Sequence, residues 1–107
     1  MSINYQKLTE DLINARIAAE EAERGDDGGS ANLDTLTIKI PRAREDKVIE
    51  AAQKAGLHVS KQEWLGPRFF VYPPKCGQGN SRVRATKAMK KVLVEAGYRC
   101  LMYERID

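Results

Sequence analysis

Residues 53–59 read QKAGLHV, and residues 94–100 read VEAGYRC. In each, a helical pattern of apolar positions runs into Ala-Gly, and a strand-like segment follows. Glycine just past a last helical turn takes the left-handed conformation that closes a helix. The two stretches therefore mark the ends of two equivalent helices, each feeding a strand. The rest of the chain can be placed around them.

Upstream of the first stretch, AREDKVIEAAQKAG (43–56) reads as a helix with Val48, Ile49, Ala52 and Ala55 inward and Gly56 as its cap. Before it, TLTIKI (35–40) alternates, with Leu36, Ile38 and Ile40 on one face and Thr35, Thr37 and Lys39 on the other, until Pro41 stops the strand. Downstream, LHVSKQEW (57–64) is a strand, LGP (65–67) a turn, and RFFVY (68–72) a strand stopped by Pro73 and Pro74. SRVRATKAMKKVLVEAG (81–97) is a helix with Ala85, Met89, Val92, Leu93 and Ala96 inward, and YRCLMYER (98–105) is a final strand. The order β-α-β-β-α-β in an α+β chain is that of a ferredoxin-like two-layer sandwich. Right-handed crossovers would put both helices on one face of a four-stranded antiparallel sheet.

Ahead of this unit, TEDLINARIAAEEAER (9–24) carries Leu12, Ala15, Ala19 and Ala22 at helical spacing, with acids in its first turn. GDDGGSAN (25–32) breaks it. The expected organisation is an additional N-terminal helix within 1–24, a Gly/Asp-rich linker over 25–33 and a ferredoxin-like domain over 34–107.

Charge is segregated along the chain. Residues 1–34 hold three Lys/Arg against eight Asp/Glu, whereas residues 35–107 hold fifteen against seven. A basic body with an acidic arm attracts polyanions, and the arm can shield it. The 107 residues suit one domain, and no apolar run approaches the ~18 residues of a membrane span. MSINYQKLTED (1–11) lacks the charged-then-apolar pattern of a signal peptide, so no membrane partner and a cytoplasmic setting are expected. Cys76 and Cys100 lie apart from any second cysteine, and His58 is the sole histidine. That spacing offers no structural metal site, and no metal or other cofactor is expected.

From Pro41 to Gly56 the chain advances 15 residues, but from Pro73 to Gly97 it advances 24. The excess falls within PKCGQGNSR (74–82), and insertions at one of two equivalent places often carry function. Gly77 and Gly79 permit close backbone approach, and Asn80 or Ser81 can cap the next helix. The first turn of that helix leaves N–H groups free for an anion, and Arg82 and Arg84 could grip a phosphate. Lys75, Gly77, Gln78, Gly79, Asn80, Ser81, Arg82, Arg84, Lys87 and Lys91 thus form a candidate anion or nucleic-acid site; residues 75–91 contain no Asp or Glu. The spacing is neither a P-loop nor a dinucleotide fingerprint. A Gly-rich turn before a solvated basic helix explains the same residues without a ligand.

The sheet offers a second surface. If Phe69 and Val71 face the helices, the opposite face carries Arg68, Phe70 and Tyr72, joined by Lys39 and Thr37 from the first strand and by Arg99, Tyr103 and Arg105 or their neighbours from the last. Aromatics interleaved with cations resemble the stacking platform of RNA-recognition domains, although the Gly-aromatic-Gly pattern of that family is missing. The alternative is that the N-terminal helix covers this face. Exposed Phe and Tyr would also suit a homo-oligomer seam.

Catalytic residues are not apparent. His58 has no Ser or Cys at a working spacing, Cys76 lacks a base, and Asp26, Asp27 and Asp34 belong to a Gly-rich linker. A non-enzymatic binding protein is the expectation.

DDGGSANLD (26–34), IPR (40–42), GQGNSRVR (77–84) and YRCLMYERID (98–107) together resemble small proteins of phages and mobile elements of Gram-positive bacteria. The resemblance implies a bacterial host cell as the setting and carries over no catalytic residue. It adds an alternative function, a module that binds and inhibits a host defence or regulatory protein. The primary expectation remains recognition of nucleic acid or a phosphate-bearing ligand.

Overall fold

A computed structural model describes residues 4–22, 35–73 and 80–103, with the backbone alone at 80–82. The elements are α1 (Tyr5–Ala22), β1 (Thr35–Lys39), α2 (Glu45–Ala55), β2 (His58–Glu63), β3 (Pro67–Tyr72), α3 (Asn80–Glu95) and β4 (Arg99–Tyr103). The linker at 25–33 and Arg105 lie outside the described residues.

The two Ala-Gly stretches end their helices in the same way. Gly56 (φ 81°) and Gly97 (φ 101°) both take the left-handed conformation. Gly56 N–H donates to Gln53 O and Leu57 N–H to Ala52 O; Gly97 N–H donates to Val94 O and Tyr98 N–H to Leu93 O. These paired bonds satisfy carbonyls that a helix end leaves free. Each cap turns the chain directly into a strand, β2 after α2 and β4 after α3.

The four strands form one sheet in the order β2-β3-β1-β4, and every neighbouring pair is antiparallel. β3 therefore lies between β1 and β2, and β1 between β3 and β4. The architecture is a mixed α+β fold with three helices and a four-stranded antiparallel sheet among the described residues. Leu36 and Ile38 of β1, Val59 of β2 and Phe69 and Val71 of β3 join Val48, Ala52 and Ala55 of α2 and Ala85, Met89 and Leu93 of α3 in one core. On α2, Ala51 is buried and Ile49 is half-buried, a small rotation from the expected face; on α3, Thr86 is buried and Val92 half-buried.

α1 belongs to this core. It starts at Tyr5, earlier than the acid-led start at Thr9, because Asn4 Oδ1 accepts from Lys7 N–H at 3.0 Å and caps the first turn. No acid lies in that first turn, so the dipole reading of Glu10 and Asp11 does not apply. Leu8, Leu12, Ala15 and Ala19 are buried, and α1 packs against α3 and α2. The small alanines allow close approach. Arg16 Nε donates to Ala55 O at 2.7 Å, at the C-terminal end of α2. Tyr98 Oη donates to Asp11 Oδ2 at 2.8 Å, and Lys7 Nζ sits 2.8 Å from the same oxygen. Burial, and then the Asp11 carboxylate, push the Tyr98 phenol well above its ordinary value.

No helix among the described residues is long and apolar enough to cross a membrane.

Candidate nucleic-acid interface

α1 sits on the helix side of the sheet, so the reading in which it covers the opposite face is corrected. Strand alternation sends Leu36, Ile38, Phe69 and Val71 into the core and their neighbours to the other side. Register sets that second face in rows. His58, Tyr72, Thr35 and Tyr103 form one row, and Ser60, Phe70, Thr37 and Leu101 the next. Gln62 and Arg68 pair across β2 and β3, and Lys39 and Arg99 across β1 and β4, in the third.

Aromatic rings cover the middle of this face. Trp64 lies edge-on to Phe70 (centroids 6.3 Å apart) and to Tyr103 (5.0 Å), and Phe70 lies 5.3 Å from Tyr103. Phe70 is only 5% exposed and stands outside the main core, so its neighbours on this face bury it. Beneath the rings Thr37 is fully buried, its Oγ1 donating to Leu101 O at 2.6 Å. His58 stacks on Tyr72 with centroids 5.2 Å apart. Tyr72 Oη is fixed by Ser60 Oγ and by Gln62 Nε2, each at 3.0 Å. Trp64, Tyr72 and Tyr103 remain half-exposed and Leu101 is exposed.

Cations frame the rings. The Arg68 guanidinium lies 5.8 Å from the Trp64 ring centroid, and its Nε is buried without a hydrogen-bond partner. Lys39 and Arg99 close the same end of the face. Strand alternation assigns no Asp or Glu to this face among the described residues; Glu63 follows Gln62 and alternates to the other side. Five of the cations elsewhere are matched locally, in the pairs Lys7–Asp11, Arg16–Glu20 and Arg44–Asp46 and around Glu50 with Lys47 and Lys54.

The sequence candidates divide. Lys39, Arg68, Phe70, Tyr72 and Tyr103 come together on one face. Lys75, Gly77, Gln78 and Gly79 lie outside the described residues, and Asn80, Ser81 and Arg82 form the backbone of the first turn of α3. Lys87 and Lys91 are exposed on α3, on the other side of the sheet from the aromatic face. Arg84 turns toward α1, its Nε donating to Ala22 O at 2.9 Å, which interrupts the expected Arg84–Lys87–Lys91 stripe. Arg99 joins the face opposite Lys39, as expected, and Trp64 completes it without having been among the candidates. The signal for Trp64 was available, since 58, 60, 62 and 64 alternate onto one side of β2.

Cys100 packs on the helix side, where burial pushes its thiol up to about 11 against a weaker opposing effect of Lys90. Comparison with protein-family models, curated proteins and solved structures returned no match.

Proposed function

We propose that this protein binds single-stranded nucleic acid on the helix-free face of its sheet. The observation that carries the reading is the juxtaposition of half-exposed Trp64, Tyr72 and Tyr103 with Lys39, Arg68 and Arg99 on a face to which alternation assigns no carboxylate. Bases stack on aromatic faces for about 1–3 kcal/mol each, with little sequence preference, while cations at the margin meet phosphates. Phe70 is the floor of the platform and Arg68 holds Trp64 in place. With three phosphate contacts, log K should fall with log salt at a slope of about −2.

The β-α-β-β-α-β unit is, in this reading, a ferredoxin-like sandwich. The support is that β3 is inserted between β1 and β2, and β1 between β3 and β4. The proposed setting, the cytoplasm of a bacterial cell carrying a phage or mobile element, rests on the sequence resemblance alone.

The test is a polarisation titration of labelled single-stranded RNA and DNA against the protein and against a Lys39→Glu/Arg99→Glu double variant. Saturable, salt-sensitive binding that the double variant loses supports the reading. Absence of binding together with a dimer that Leu101→Lys dissociates would instead assign the face to a second copy of the chain.

A further inference from the structure

A second feature lies at the corner where β1 leads into α2, round the basic end of the sheet from the aromatic face, since Phe69 and its register partner Lys61 alternate to the helix side. A cavity of about 350 Å³ opens there, with Lys39, Arg42 and Lys61 among its lining residues and Ile40, Pro67 and Phe69 supplying apolar wall. No carboxylate lines it; Glu63, opposite Pro67 in the register, is not among the lining residues. None of the three cations takes part in an ion pair among the described residues. Lys61 instead lies over the Phe69 ring, 5.7 Å from its centroid.

Arg42 sits at φ 66°, in the left-handed region that glycine or asparagine occupies at lower cost. A bulky residue kept in that conformation is an arrangement found at ligand clamps. Its guanidinium is also the side chain best shaped to hold a phosphate with two parallel bonds. The volume is at the lower end of small-ligand sites, enough for a phosphate and the sugar attached to it.

We infer that this cavity is a phosphate-monoester site, taking the terminal phosphate of a strand that lies on the aromatic face and turns round the Lys39 end of the sheet. The choice of source rests on the function proposed above; the phosphate chemistry rests on the cavity itself. Arg42 and Lys61 hold the phosphate oxygens, Lys39 joins the cavity to the sheet face, and Ile40, Pro67 and Phe69 pack the attached sugar.

The experiment is an amide NMR titration with inorganic phosphate, then a nucleoside 5′-monophosphate, at constant ionic strength. Beside it, affinities are measured for one oligonucleotide with a 5′-phosphate, a 3′-phosphate or hydroxyl ends. Saturable shifts centred on residues 39–43 and 61 are expected. One phosphorylated end should bind about tenfold tighter than hydroxyl ends, an advantage lost in Arg42→Gly and in Lys61→Gln. If phosphate and the monophosphate bind the cavity while no oligonucleotide binds, the site stands and the single-strand reading falls. If oligonucleotides bind regardless of their ends and phosphate shifts nothing at the cavity, the site is overturned and the single-strand reading stands. The amide spectrum of each variant reports its fold directly.

Discussion

Arg84 of α3 donates its Nε–H to the carbonyl oxygen of Ala22, the last residue of α1, at 2.9 Å. A cation at a helix C-terminus meets both a free carbonyl and the negative end of the dipole. Arg16 of α1 does the same for Ala55 at the end of α2. The three helices are thus tied by arginines at helix ends as well as by apolar contact. Arg84→Gln should lower stability by about 1–2 kcal/mol in urea unfolding, since a charge-assisted bond is lost. It should leave oligonucleotide affinity unchanged, because Arg84 lies on the side of the sheet away from the aromatic face.

Burial makes α1 part of the fold rather than an arm. Leu12 is 0% exposed in the middle of α1, and Leu12→Ala should cost about 2–5 kcal/mol. A chain starting near Asn32 loses Leu8, Leu12, Ala15 and Ala19 from the shared core. It should give a poorly dispersed amide spectrum and bind hydrophobic dyes. A well-folded truncated chain would contradict this packing.

The backbone at Arg42 makes an opposite forecast. Glycine removes the left-handed penalty of about 1 kcal/mol or more, less what it adds to the entropy of the unfolded chain. Arg42→Gly should therefore be neutral or slightly stabilising in urea, even as it removes a cation from the β1–α2 cavity. A large loss of stability would mean that the Arg42 side chain supports the fold.

Stability should fall at high pH. The Tyr98 phenol is raised in the folded protein by burial and by Asp11, so the folded state holds its proton more tightly than the unfolded chain. Its contribution is complete below the ordinary tyrosine value near 10 and is lost as pH rises beyond it. The Cys100 thiol, raised by burial from 9.0 to about 11, acts in the same direction over that lower window. Urea midpoints should decline from pH 8 to pH 11 (~1–2 units either side of these values). Tyr98→Phe should flatten the upper part of the decline and Cys100→Ala the lower part.

Much of the fold was legible because local signals agreed. The Ala-Gly stretches at 53–59 and 94–100 each end a helix with the same two backbone bonds, and apolar periodicity on either side of them gave seven elements in the observed order. Alternation in β3 correctly separated Phe69 and Val71 from Phe70 and Tyr72. The partner of α1 was not legible, because Leu8, Leu12, Ala15 and Ala19 form an apolar stripe that fits any apolar surface; only the packing in three dimensions selects α2 and α3. Arg84 was misread for a related reason. Its spacing with Lys87 and Lys91 describes one helix, and nothing local announces that the end of α1, 62 residues away in sequence, takes its Nε–H. The cavity at Arg42 depends on a left-handed backbone that the sequence IPR does not advertise.

The most direct test uses Trp64, the single tryptophan of the chain, which lies among Arg68, Phe70 and Tyr103 on the proposed face. Its emission is followed while unlabelled single-stranded oligonucleotide is added at low salt. Binding on this face should quench Trp64 saturably, with the midpoint moving to higher concentration as salt rises and the quench disappearing in Lys39→Glu/Arg99→Glu. Unchanged Trp64 emission with oligonucleotide in large excess, or quenching that the double variant retains, would contradict the assignment of the sheet face to nucleic acid.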